Sequence, residues 1–162
     1  MRDTSVRAIG KIEAVVDTYG TMLFRLCLIT LGNASDAEDA VQETLIRYFQ
    51  KAPSFENTEH EKAWLIAVAT NKCRDILRFR KRHSHMDLEE VNGYTQDLTD
   101  HGLLDALMGI PDKFRTVLVL YYVEGYGTEE IAKMIGKTAS AVKMRLQKGR
   151  RLLQEAYGKE CV

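Results

Sequence analysis

Only two prolines, Pro53 and Pro111, occur in 162 residues. Proline removes a backbone donor and blocks a helical turn, so its scarcity leaves long helices free to form. Cysteine is scarce as well. Cys27, Cys73 and Cys161 are odd in number, widely spaced and without a C-x-x-C pair, which argues against a disulfide framework and suits reduced thiols. By this reading no stretch approaches the roughly 18 apolar residues of a membrane span, and residues 1–10 carry no apolar leader core. A soluble, cytoplasmic protein is expected. Four histidines, His60, His83, His85 and His101, form no spaced metal set. There is no phosphate loop and no nucleophile elbow. Catalysis is therefore not expected, nor is a metal or a cofactor.

Net charge is also lacking, with 23 Lys and Arg against 23 Asp and Glu. The distribution is what informs. Residues 71–85 hold six basic side chains (Lys72, Arg74, Arg78, Arg80, Lys81, Arg82) and one acid, Asp75. Residues 86–105 hold six acids and no Lys or Arg. Residues 137–159 hold seven basic side chains and one acid, Glu155. Blocks of this kind mark local surfaces that a zero net charge hides.

The apolar spacing is helical throughout. Ile9, Ile12, Val15, Val16, Tyr19, Leu23 and Leu26 recur every three or four residues, with a candidate break at Gly20 and a stop at Gly32-Asn33. Ser35-Asp36-Ala37-Glu38 reads as a capping box opening a helix to about residue 51, with Val41, Leu45, Tyr48 and Phe49 inward. Residues 52–57 read as a loop. Thr58-Glu59-His60-Glu61 reads as a second capping box, opening a helix to about residue 83 with Leu65, Val68, Ala69, Cys73, Ile76 and Leu77 buried. Residues 84–99 are acidic, hold Asn92-Gly93 and read as a flexible linker.

Beyond it, Leu103, Leu104, Leu107 and Met108 suit a short helix. Pro111 suits the first position of the next one, whose core face would be Phe114, Val117, Leu118, Tyr121 and Tyr122. Thr128 and Thr138 are candidate caps for two further helices. The expected fold is all-α: two small helical domains, 1–84 and 102–162, joined by an acidic linker, 85–101.

Two segments carry the chemistry. Ala132, Gly136 and Val142 have the spacing of a helix-turn-helix: a small residue where the helices cross, a glycine for the turn, an aliphatic lock. Ser140, Lys143, Met144, Arg145 and Lys148 would point outward from its second helix, able to enter a major groove and hold phosphates. The alternative is an ordinary helical hairpin with a solvated basic face. In the helix of residues 64–82, Phe79 stands among Arg78, Arg80, Lys81 and Arg82. Such a surface suits single-stranded nucleic acid, where bases stack and phosphates need neutralising. It equally suits a plain basic helix end opposite the dipole.

Three blocks then resemble the sigma factors of bacterial RNA polymerase, in the right order. Residues Asp36 to Leu45 resemble the core-binding helix. Lys62-Ala63-Trp64-Leu65 with Ala69 to Arg78 is similar to the promoter-melting helix. Ile110-Pro111, Tyr121, Gly125, Glu130-Ile131-Ala132, Gly136 and Val142 to Leu146 resemble the C-terminal helix-turn-helix. The match is to the short, two-domain extracytoplasmic-function group.

The resemblance implies roles. Asp36, Asp39, Gln42 and Glu43 would meet the beta-prime clamp helices of core RNA polymerase. Asn71, Arg74 and Arg78, with the 52–59 loop, would hold the melted minus-ten element. Ser140, Lys143, Met144, Arg145 and Lys148 would read the minus-thirty-five element. The apolar helix of residues 114–122 would contribute to the beta-flap contact, and an anti-sigma factor is an expected partner. The chain departs from the family where Lys148-Gly149-Arg150 replaces an Arg-Ala-Arg run, and a glycine inside a helix costs about 1 kcal/mol against alanine.

A helix-turn-helix regulator with an N-terminal dimerisation or ligand domain is the competing reading. It explains the C-terminal segment alone. The acids Asp87, Glu89, Glu90, Asp97 and Asp100 lie between two basic surfaces. They act either as a solvated spacer or as a device that lets the domains close on each other and mask both surfaces.

Overall fold

The structure, a computed structural model, describes residues 2–82 and 101–160, so the acidic linker at 84–99 lies outside the described residues. Helix α1 (Arg2–Leu31), α2 (Ala34–Lys51) and α3 (Thr58–Lys81) form the first half. Helix α4 (His101–Gly109), α5 (Asp112–Leu118), a π-helical turn (Val119–Val123), α6 (Thr128–Ile135) and α7 (Ala139–Glu160) form the second. The all-α fold expected from the sequence is the fold found.

Helix α1 passes Gly20 without a break and ends at Gly32, whose φ of 70° lets its N–H reach the Leu28 carbonyl at 2.7 Å. The caps lie earlier than the capping boxes predicted. Asn33 accepts from the Asp36 N–H and Asn57 from the His60 N–H, so Ser35 and Thr58 already stand inside their helices. An asparagine side chain satisfies the same orphan donors, and here it sits one residue before each helix. Thr128 likewise is the first residue of α6 and makes no capping bond, Gly127 standing outside it. Thr138 does accept from the Ala141 N–H at 3.1 Å. Pro111 flanks α5 rather than opening it.

Residues Leu26, Cys27, Leu28, Ile29, Thr30 and Leu31 are all buried, although they circle the whole of α1. Helices α2 and α3 cover one side and α5 the other. This explains a feature that differs from the sequence reading: Ile9–Leu31 is long and apolar enough, by length and composition, to cross a membrane. Half of that window is buried inside the protein, as befits a core helix serving two halves. Ile9 and Val16, upstream of the enclosed part, are exposed, as is Phe49 on α2. The Cys27 and Cys73 thiols meet between α1 and α3. Their hydrogen bond, then burial, raises the Cys73 pKa well above 9.0, which keeps it protonated and unreactive.

The core face expected after Phe114 holds for Val117 and Leu118 and then fails. Val119 and Leu120 are buried, whereas Tyr121 and Tyr122 are 38% and 58% exposed. The π-helical turn adds a residue to the helical repeat and rotates both tyrosines outward.

One hydrophobic core runs through both halves. Polar contacts stitch the same seam. Arg115 is 2% exposed and donates to Ile29 O (3.0 Å) and Thr30 O (2.7 Å) of α1. It also donates to Met108 O (3.3 Å) and Ile110 O (2.7 Å) of its own half. Glu124 pairs with Arg25 at 3.3 Å and Lys62 at 3.4 Å. The Thr30 and Thr116 hydroxyls lie 3.5 Å apart.

Candidate polymerase and nucleic-acid surfaces

Four residues were assigned to polymerase contact, and the structure brings them to one side of α2. Asp39, Gln42 and Glu43 are exposed there. They rim an open depression of about 760 Å³ floored by Ile46, Ile76 and Phe79. The floor was not expected. Ile46 follows Asp39 and Glu43 by seven and three residues, so helical spacing alone puts it on their face. Asp36 lies at the edge and is already engaged: Arg80 donates to its Oδ2 from Nε (2.7 Å) and Nη2, and to Leu31 O from Nη1 (2.6 Å). Arg80 thus ties α3 to the junction of α1 and α2, and it is not a free phosphate contact.

The 52–57 loop is shaped by rings. Phe55 stacks on Tyr48 with centroids 6.1 Å apart, meets Trp64 at 5.9 Å and sets its edge against His60 at 5.3 Å. Tyr48 donates to Glu61 at 2.8 Å. The loop is therefore held by α2 and α3. Asn71, exposed two turns along α3 from Trp64, borders a hollow of about 460 Å³ shared with Trp64 and Lys72.

The residues expected to face the promoter are only partly brought together. Arg78 is exposed, but Arg74 donates to Ile135 O of α6 at 2.5 Å. Arg74, Arg78 and Lys81 line a groove of about 470 Å³ between the halves, facing Lys113, Lys137 and Arg145. Among the described residues, Asp112 is the one carboxylate lining it.

Helices α6 and α7 make the helix-turn-helix. Gly136 has φ 67° at the turn, Ala132 sits at the crossing and Val142 is fully buried. Ser140 and Lys143 are exposed and Met144 is 71% exposed, while Arg145 turns toward the groove. Lys148 lies over the Phe114 ring at 5.6 Å, with Lys113 at 5.1 Å from the same ring. Gln147 and Arg151 extend this face. Their spacing from Met144 and Lys148 could have revealed them. Gly149 is buried where α7 crosses α5.

The match to known families covers both halves. Residues 15–83 match Sigma-70 region 2, and residues 101–153 match Sigma-70 region 4. The chain is 29% identical over 160 residues to the ECF RNA polymerase sigma factor SigW of Bacillus subtilis, covering 87% of this chain and 86% of that one. It is 31% identical over 153 residues to the ECF sigma factor SigL of Mycobacterium tuberculosis, covering 88% and 86%. Among solved structures, it resembles the sigma factor RpoE in its complex with the anti-sigma factor NepR from Bartonella quintana. There the TM-score is 0.66 at 23% identity, over 96% of this chain and 97% of that one. It also resembles CnrH in complex with the cytosolic domain of CnrY, with TM-score 0.63, 23% identity and coverage of 89% and 85%.

Proposed function

This chain belongs to the extracytoplasmic-function sigma factors of RNA polymerase, and from that premise we propose which surface carries which partner. As a sigma factor it binds core RNA polymerase and directs promoter recognition and transcription initiation. The polymerase supplies the nucleotidyl transfer; this chain supplies the address and works where the polymerase works, in the cytoplasm.

The exposed Asp39, Gln42 and Glu43 over an apolar floor carry the polymerase assignment. A carboxylate rim steers and orients a basic helical partner, and the Ile46 and Phe79 side chains give it apolar area to bury. Asp36 serves this surface indirectly, through Arg80. Asn71, Arg74 and Arg78 serve the melted minus-ten strand beside the ring-braced loop, where stacking and phosphate neutralisation combine. Ser140, Lys143, Met144, Arg145 and Lys148 read the minus-thirty-five duplex. The exposed Tyr121 and Tyr122 offer the second half's contact with the beta flap. The domains divide at 1–84 and 102–162. Since RpoE and CnrH were each captured with NepR or CnrY, an anti-sigma factor is a further partner.

The test is the double substitution Asp39→Arg with Glu43→Arg. Exposed charges add little stability, so the fold survives, and capture by core polymerase in a pull-down is lost. Wild-type affinity in that variant would overturn the assignment.

A further inference from the structure

Among the described residues, Met144 is the most exposed of the large apolar side chains, at 71%. It is the sixth residue of α7, in the part of a recognition helix that meets base edges. The start of that helix is fixed, because Thr138 accepts from the Ala141 N–H at 3.1 Å. Ala141, Gln147 and Lys148 stand three residues before, three after and four after Met144, so they share its face. All four line an open concavity of about 690 Å³, together with the buried Phe114. Four cations border it: Lys113, Arg145, Lys148 and Arg151. Two of them are steadied by the ring, with the Lys113 and Lys148 ammonium groups 5.1 and 5.6 Å from the centre of Phe114. The face suits a polyanion, yet an apolar pair, Ala141 and Met144, is set among its cations.

Chemistry narrows what that pair can read. A thioether has no donor and is a weak acceptor, so Met144 does not recognise guanine, adenine or cytosine by hydrogen bonds. In the major groove each base pair shows donors and acceptors, and the one apolar group among them is the C5 methyl of thymine. An unbranched, polarizable side chain reaches such a group without a fixed angle of approach. We propose that Met144, with Ala141 beside it, determines specificity for a thymine at one base pair of the minus-thirty-five duplex by packing on its C5 methyl. The proposal rests on the assignment of α7 as the minus-thirty-five reader made above. The surrounding cations hold phosphates and favour every sequence alike. Met144 adds a preference, because burying its exposed end against a methyl removes apolar surface from water on both partners.

The experiment uses holoenzyme, core polymerase with the full chain, and a duplex DNA library randomised across both promoter elements. The enriched minus-thirty-five sequence is then made with each thymine of either strand replaced singly by deoxyuridine. Deoxyuridine lacks the C5 methyl and keeps every hydrogen-bonding atom. Wild type should bind one of these duplexes about three- to tenfold more weakly than the thymine duplex. Met144→Ala should bind the thymine duplex more weakly by a similar factor and lose the discrimination at that position. Met144→Leu, which keeps an apolar reach, should retain it. Both are exposed substitutions that leave the fold intact, and thermal melts check this. Wild type indifferent to every deoxyuridine overturns the proposal, as does an enriched sequence of G·C pairs alone or a Met144→Ala variant with wild-type discrimination. If no minus-thirty-five sequence is enriched, the assignment of α7 fails and the proposal with it. Enrichment without sensitivity to the methyl defeats the proposal alone, so the two failures are distinguishable.

Discussion

Gly149 of α7 lies against Phe114 of α5: a Cβ added to the glycine would stand 3.3 Å from the Phe114 Cβ and 3.3 Å from Leu118 Cδ1. The helix-weakening residue is thus the one that lets α7 approach α5. For Gly149→Ala, the propensity gain of about 1 kcal/mol is set against this crowding. The net change in a urea melt should stay within about 1 kcal/mol. Gly149→Val adds a Cβ carrying two methyl groups at this close crossing and should destabilise by about 1–3 kcal/mol. A valine variant as stable as wild type would show the crossing to be loose.

The asparagine caps give a second expectation. Asn33→Ala and Asn57→Ala should each lower stability by about 0.5–2 kcal/mol, because each leaves an N-terminal donor unpaired. Ser35→Ala and Thr58→Ala, one or two residues along, should cost no more than about 0.5 kcal/mol. Paired denaturation curves decide between the two sets, and a reversed order would reinstate the capping boxes.

Base readout can be separated from phosphate contact in holoenzyme bound to promoter DNA. Lys143 is exposed on α7, and Arg145 lines the groove between the halves. If either reads a guanine edge, its replacement by alanine should cost about 1–3 kcal/mol at one base pair only. If it meets phosphate, binding should weaken across all sequences and depend less steeply on salt. Binding unchanged by both substitutions would remove α7 as the reading helix.

Alkaline pH should weaken the fold. Burial, then the hydrogen bond and charge of Glu61, pushes Tyr48 from 10.0 up to about 12. Burial, then Glu59 and Glu124, does the same for Tyr126. The unfolded chain releases these protons near pH 10 and the folded chain does not. Their contribution is therefore whole below pH 10 and is lost as pH rises toward 12. Among the described residues, the buried Tyr126 hydroxyl has no hydrogen-bond partner. Tyr126→Phe should then leave stability at pH 7 equal or slightly higher and shrink the alkaline loss, as read from melts across that range.

Periodicity made most of this architecture legible: the helices, the inward Val15, Tyr19, Leu23 and Leu26, the Gly136 turn and the outward Lys143 all follow from spacing. The acidic face of α2 was legible too, because Asp39 and Glu43 share a side at i and i+4. What escaped depended on contacts between distant residues. Nothing local to Arg115 says that it will be buried on α1 carbonyls 85 and 86 residues away. Nothing local to Arg74 or Arg80 says that they will hold Ile135 and Asp36 instead of solvent. The π-helical turn escaped because Val119 to Val123 reads equally well as α-helix, and only packing of the second half selects the wider turn. The full burial of the end of α1 escaped for the same reason, since a helix serving two partners has no polar face to betray it.

The widened turn at Val119–Val123 holds one residue more than α-helical winding needs over the same span. That residue is taken up inside the turn, where the Glu124 N–H reaches back five residues to the Val119 carbonyl, so the elements on either side keep their directions. What changes is which side chains face which way: Val119 and Leu120 take the buried positions, and Tyr121 and Tyr122 are left outside. Removing one residue from the turn should therefore return it to regular winding with Glu124 still beside Arg25 and Lys62, and alter only the pattern of rings on its outer surface. The supernumerary residue re-indexes the side chains and leaves the path of the backbone alone.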